Sequence, residues 1–158
     1  MSAEYVVPFL ASAREVFRTM IATEISNGEP RLESTVEGSN VILAIIGMSG
    51  ELRGAVAVAF PYTTAINIAN QVLGTTKTDV DADVVDAVAE VTNMIAGGAK
   101  AQLSRVDGPP VQLGLPVVIR DTHASLDNLS RSKWVVMPFS SGMGEFTVHV
   151  SFENRISK

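Results

Sequence analysis

Asp86, Glu90, Asn93 and Gly97 follow one another at spacings of four, three and four residues. At about 100° per residue these positions share one stripe of a helix. The stripe carries two carboxylates, one carboxamide and a glycine, with small neighbours at Ala87, Ala89 and Gly98. A face that only keeps a helix soluble is usually drawn from long helix formers such as Lys and Glu. This one is flat and closely approachable, with few, specific polar groups. A carboxamide both donates and accepts hydrogen bonds but does not act as a base at neutral pH. Such a surface needs an explanation, and the alternative is a plain solvated helix face.

Other chemistry-bearing residues are weaker candidates. Asp79, Asp81, Asp83 and Glu90 stand at the first, third, fifth and twelfth positions of an EF-hand-like loop. The sixth position, which needs glycine for a sharp turn, is Val84, a β-branched residue that resists positive φ. Those acids suit a helix N-cap and first turn instead, where the helix dipole favours negative charge. Gly97-Gly98 lies late in a helix and not after a strand, so it is no phosphate loop. Ser12, Ser104, Ser140 and Ser141 lack a nucleophile-elbow setting. His123 falls in a polar stretch, and His149 alternates with Thr147 and Ser151 on what reads as the outer face of a strand, so both are read as surface histidines.

The stripe belongs to a helix expected over Asp83 to Lys100, whose opposite side, Val84, Val88, Val91 and Ile95, needs a core. Upstream, an amphipathic helix is expected from Val6 to Ile25, with Pro8 tolerable in a first turn and Asn27-Gly28 and Pro30 as stop signals. Strands follow at Arg31 to Glu37, Val41 to Met48 and Leu52 to Phe60. The run Val41 to Ile46 is continuously apolar, the pattern of a strand covered on both faces. Gly54 and the small residues after it point to a strand packed closely under a helix. A second helix runs from Tyr62 to Leu73, with Gly74 placed as its C′ glycine.

Beyond Lys100 the plan repeats. Asp107 to Pro110 forms a turn cluster, Val111 to Ile119 a strand interrupted by Gly114 and Pro116, and Asp121 to Lys133 a polar loop. Strands at Trp134 to Pro138 and Glu145 to Phe152 close the chain. Short polar turns between consecutive strands favour antiparallel pairing. The expected fold is α+β: a single domain over residues 1–158 with two helix-plus-three-strand halves, a mainly antiparallel sheet packed against long helices.

Composition narrows the function classes. A chain of 158 residues with 46 % hydrophobic content can fill one core. A net charge of −5 with scattered Lys and Arg lacks the basic footprint of a nucleic-acid binder. The absence of Cys removes disulfides, thiolate metal sites and cysteine nucleophiles, and suits a cytoplasmic location. No basic n-region or long apolar run supports a signal peptide or a membrane span.

The order Asp86-x-x-x-Glu90-x-x-Asn93, with Pro116 after 22 intervening residues, resembles the motif of the CheC/CheX/FliY family of bacterial chemotaxis phosphatases, in its CheX branch. That motif is an Asp or Ser, three residues, Glu, two residues, Asn, then 22 residues and Pro. The likeness extends through VVPFLASAREVFRTMI, GMSGELRGAVAVAFPYTTAINIANQVLG, LGLPVVI and MPFSSGMGEFTVHVSFE, nearly the whole chain. The resemblance implies hydrolysis of the aspartyl phosphate of a CheY-like response regulator. It implies that Glu90 forms a salt bridge with the regulator's active-site Lys and that Asn93 orients the attacking water. Asp86, whose motif position also accepts Ser, would make a supporting contact or cap. Gly97 would let the partner approach, and Pro116 would shape the strand or loop beside the helix. The Mg²⁺ would be the regulator's, and this chain would hold no metal or cofactor of its own.

Relatives of the CheC type carry two such stripes, but the first helix here offers Glu15-x-x-Arg18. A guanidinium has no acceptor, so it cannot stand in for an amide that must both accept and donate. One site per chain is expected. The resemblance also implies a homodimer joined through the sheets, with Val150 and Phe152 as edge contributors. A non-catalytic regulator-binding module and a small-molecule sensor are the alternatives, the latter requiring a sizeable pocket with convergent polar groups.

Overall fold

The computed structural model describes residues 3–33, 40–50, 52–107, 111–120 and 134–154. Among the described residues, three α-helices lie on one antiparallel sheet of eight strands. The first half of the chain contributes α1 (Ala3–Val16), β1 (Ile25–Asn27), β2 (Arg31–Glu33), β3 (Val41–Ser49), β4 (Leu52–Pro61) and α2 (Tyr62–Leu73). The second contributes α3 (Ala82–Asp107), β5 (Gln112–Leu113), β6 (Val117–Arg120), β7 (Trp134–Ser141) and β8 (Gly144–Asn154).

The sheet order is β1-β7-β8-β4-β3-β5, with β2 also on β7 and β6 also on β3. Each half thus sends its short leading strands to the far edge, beside the long hairpin of the other half, and β4 meets β8 at the centre. The order reads alike from both ends, as a duplicated plan requires. Each half has four strands rather than the expected three. In the first, Ile25 leaves the helix and enters β1. In the second, the segment from Val111 splits at Gly114 to Pro116 into β5 and β6. The strand expected to reach Glu37, the turn at 108–110 and the loop at 121–133 with His123 fall partly or wholly outside the described residues.

Burial explains why these segments take these forms. Along β4, Val56, Val58 and Phe60 face the helices, while Ala55, Ala57 and Ala59 join Val41, Leu43 and Trp134 in a second cluster on the other face. Both faces of the central strands are therefore shielded, as the apolar run in β3 foretold. Gly54 is demanded by the neighbouring strand and not by a helix: a Cβ there would lie 2.0 Å from the Ser151 carbonyl oxygen on β8. Under the helices, Phe146 stacks with Phe17 at 4.6 Å and with Phe139 at 5.0 Å between ring centroids. Aromatic stacking of this kind adds to the area each ring buries.

The first helix departs from its expected span in two ways. Pro8 lies inside α1 rather than in its first turn. The helix then widens into a π turn at Phe17–Ile21 and stops at Ala22, which adopts φ 59° and donates its N–H to the Phe17 carbonyl. Phe17 and Ile21 are both fully buried by this turn. α2 matches its expected bounds, and Gly74 closes it at φ 68°.

Candidate active site

α3 begins where the acidic run ends. The Val84 backbone N–H donates to Asp81 Oδ1 at 3.0 Å, so Asp81 is the N-cap. Lys77 Nζ lies 2.7 Å from Asp81 and 3.3 Å from Asp83. The Lys77 hydrogen bond, with the Val84 N–H, holds the Asp81 carboxyl below its usual range, and Asp81 in turn raises Lys77. The calcium-like spacing is thus spent on capping and ion pairing. No cluster of three metal-ligating side chains occurs among the described residues.

The helix continues past Lys100 to Asp107, because Gly97-Gly98 is carried through without a break and Leu103 is buried. Its underside is locked: Val84, Val88 and Ile95 are fully buried and Val91 is 3 % exposed. Full burial of such side chains contributes about 1.5–3 kcal/mol each. Thr92, also buried, satisfies its hydroxyl by donating to the Val88 carbonyl at 2.8 Å. Of the small neighbours, Ala87 is buried at the underside instead of flanking the outer stripe.

The outer stripe is intact. Asp86, Glu90 and Asn93 are exposed, and none of their side chains has a hydrogen bond or ion pair among the described residues. Glu90 and Asn93 are three residues apart, which makes them neighbours on the helix surface. Gly97 is half-buried, and a Cβ added there would meet nothing within 4 Å, so the helix surface is open one turn beyond Asn93. Pro116 lies between β5 and β6, both of which touch α3. Beside it the Gly114 N–H donates to the Gly47 carbonyl at 2.9 Å, tying this loop to β3. Asp86, Glu90, Asn93 and Gly97 thus come together on one face of α3, while Pro116 supports a neighbouring loop.

An open cleft of about 790 Å³ lies elsewhere, lined by Tyr62, Thr63, Ile66, Asp79 and Arg120 among others, and none of the stripe residues borders it. Where α1 runs into its π turn, the position corresponding to the stripe holds an ion pair, Arg18 Nη2 to Glu15 Oε2 at 2.6 Å.

Two features were not visible from spacing. Ser12 on α1 is buried and donates to the Ile95 carbonyl at 2.7 Å. A small polar residue within the apolar stripe of a helix was the available signal. His149, read as a surface residue, is 3 % exposed: it pairs with Ala57 of β4, which belongs to the second buried cluster with Trp134, so this face of the sheet is interior as well. Thr147 Oγ1 is 2.8 Å from His149 Nε2, and Nδ1 is buried without a partner. Burial, reinforced by the positive charge of Arg31, pushes the imidazole down to about 4. The same topology removes Val150 and Phe152 as edge contributors, since the sheet's edges are β1 with β2 and β5 with β6.

Residues 42–140 match the family model of the chemotaxis phosphatase CheX. The chain belongs to the CheX family. It is 26 % identical over 120 residues to the CheY-P phosphatase CheX of Thermotoga maritima, a match covering 75 % of this chain and 77 % of that one. The fold is similar to a CheC-like superfamily protein from Shewanella sp. PV-4, at 32 % identity and a TM-score of 0.86 over 97 % of this chain and 99 % of that one. It is also similar to CheX from Borrelia burgdorferi, solved as a CheX–CheY–BeF3–Mg²⁺ complex, at 26 % identity and a TM-score of 0.81 over 94 % and 97 % of the two chains.

Proposed function

We propose that this protein hydrolyses the aspartyl phosphate of a CheY-like response regulator, using the outer stripe of α3. The observation that carries the reading is the pairing of exposed, uncommitted Glu90 and Asn93, one turn apart, on a helix whose other side is fixed in the core. CheX membership supports the reaction class.

In this reading Glu90 pairs with the regulator's active-site Lys and aligns the two proteins. The Asn93 carboxamide accepts from and donates to a water held in line with the phosphorus–oxygen bond. Water oxygen bonds to phosphorus, the bond to the regulator's Asp oxygen breaks, and that carboxylate and inorganic phosphate leave, with the water's proton on the phosphate. Phosphoryl transfer of this kind asks for placement and electrostatics rather than a protein base. The Mg²⁺ in the regulator's site balances charge on the phosphoryl oxygens. Asp86 supports the docked partner and Gly97 leaves room for its approach. The protein acts in the cytoplasm, where response regulators are phosphorylated. No helix among the described residues is long and apolar enough to cross a membrane.

The test is phosphate loss from a phosphorylated CheY-like receiver. Asn93→Ala should lower the rate by about 100-fold or more while regulator binding persists, and Glu90→Ala should weaken productive binding. If Asn93→Ala works as fast as the wild type, the reading fails. Binding without acceleration by the wild type would make the protein a sequestering module.

We also infer a homodimer that pairs through the β5–β6 edge. Leu115 is 88 % and Val117 60 % exposed there, two apolar side chains flanking Pro116 at an edge with no outer strand among the described residues. Leu115→Asp with Val117→Asp should give a monomer by light scattering; a mass unchanged from wild type would refute the edge.

A further inference from the structure

Ser12 and Gly98 form a lock between α1 and α3 close to Asn93. The buried Ser12 hydroxyl donates to the Ile95 carbonyl at 2.7 Å, two residues after Asn93. Gly98 sits at the rim of the same seam, exposed on its outer side, and a Cβ there would lie 2.3 Å from Ser12 Oγ and 3.2 Å from Ser12 Cβ. The hydroxyl therefore occupies space that only a glycine at position 98 leaves open.

The lock matters at this place for two reasons. Gly97-Gly98 is a weak point in a 26-residue helix, since each glycine disfavours the helical state relative to Ala and such pairs are sites of bending. A bond from a neighbouring helix to the Ile95 carbonyl pins the chain between that weak point and the motif. Further, the stripe from Asp86 to Gly97 is only about 16 Å long. A specific protein–protein interface buries about 800 Å² on each partner, more than four such residues supply. A docked regulator must also rest on surfaces beside α3, so the position of α3 against α1 decides where Asn93 points once docking is complete.

We propose that Ser12 and Gly98 are positioning residues for the phosphatase reaction: they fix the axial position of α3 so that Asn93 meets the phosphoryl group. This rests on the phosphatase reading above. The experiment measures kcat and KM for phosphorylated receiver with Gly98→Ala, Ser12→Ala and the double variant, with wild type and Asn93→Ala as controls and circular dichroism reporting fold. Gly98→Ala should lower kcat roughly 10- to 100-fold and change KM far less, since misplacement by about 1 Å has effects of that size. Removing the hydroxyl relieves the 2.3 Å overlap and leaves only the 3.2 Å contact. The double variant should therefore recover to the level of Ser12→Ala, which itself should lie several-fold below wild type. Gly98→Ala with wild-type kcat, or a double variant equal to the product of the singles, would overturn the lock. Should Gly98→Ala not fold, Ser12→Ala carries the test, and unchanged kcat there overturns it. A wild type that fails to accelerate dephosphorylation sinks the phosphatase reading itself, whereas normal wild-type and Asn93→Ala behaviour with an inert lock sinks only this inference.

Discussion

Arg18 Nη2 donates to both carboxylate oxygens of Glu15, at 2.8 and 2.6 Å, on the exposed face where α1 runs into its π turn. The helix stripe that corresponds to Glu90 and Asn93 is therefore self-paired, whereas the one on α3 is not. The Glu15 carboxylate raises the Arg18 guanidinium further above its ordinary value. Such a pair is held but contributes little to stability in solvent. Glu15→Ala with Arg18→Ala should leave kcat within about twofold and Tm within about 2 °C. A double variant with kcat near zero would show that α1 carries chemistry after all.

His149 gives the stability of the fold a pH dependence. Its imidazole stays neutral in the folded state down to about 4, because burial and then Arg31 disfavour the charged form. An unfolded histidine takes up its proton near 6.5, so between those values the unfolded state binds more protons and stability falls as pH falls. The effect is fully absent above about 6.5 and amounts to a loss on the order of 3 kcal/mol by pH 4. Urea unfolding followed by the fluorescence of buried Trp134, the single tryptophan, can read it. His149→Gln should flatten the curve over that window. Parallel curves for variant and wild type would show that His149 is not the group responsible.

The misreading of His149 shows where sequence patterning reaches its limit. Alternation correctly placed Thr147, His149 and Ser151 on one face of β8, but only the packed cluster of Ala57 and Trp134 on that face reveals that it is interior. A pattern local to one strand cannot report what covers it. The α3 stripe was legible for the opposite reason: three of its residues lie within two turns of one helix, so local geometry alone sets their common face. Likewise α2, bounded by Pro61 and Gly74, announced both its ends. The end of α1 did not, because Ala22 takes a left-handed turn without the glycine or asparagine that would mark it. The Ser12 lock joins residues 83 apart in sequence and needed the packed helices to be seen.

Asp81 tests the start of the motif helix separately from its chemistry. Its side chain accepts the Val84 N–H and pairs with Lys77, and it lies before the stripe, ahead of Asp86 by more than one helical turn and of Glu90 by more than two. Asp81→Ala should lower Tm by about 2–4 °C, the usual effect of losing an N-cap in a domain of this size. Calcium should leave the wild-type Tm where it is, since Asp81 and Asp83 already pair with Lys77 and Asp81 also caps the helix. A Tm increase with calcium that Asp81→Ala abolishes would restore the metal-loop reading.

Gly97 separates a docking surface from a solvated helix face. In the middle of a helix, glycine is about 0.8–1 kcal/mol less favourable than alanine. A Cβ at position 97 meets nothing within 4 Å, so Gly97→Ala encounters no clash within the chain. Stability should therefore rise by up to about 1 kcal/mol. If the regulator closes onto α3 one turn beyond Asn93, the same methyl group obstructs it, and phosphatase activity should fall, chiefly through a raised KM. The two effects have opposite signs and cannot share a structural cause. Chemical denaturation together with steady-state dephosphorylation of a CheY-like receiver measures both on one preparation. A variant that gains stability and keeps wild-type KM would mean that the partner does not approach the helix at Gly97, and would move the docking footprint toward Asp86.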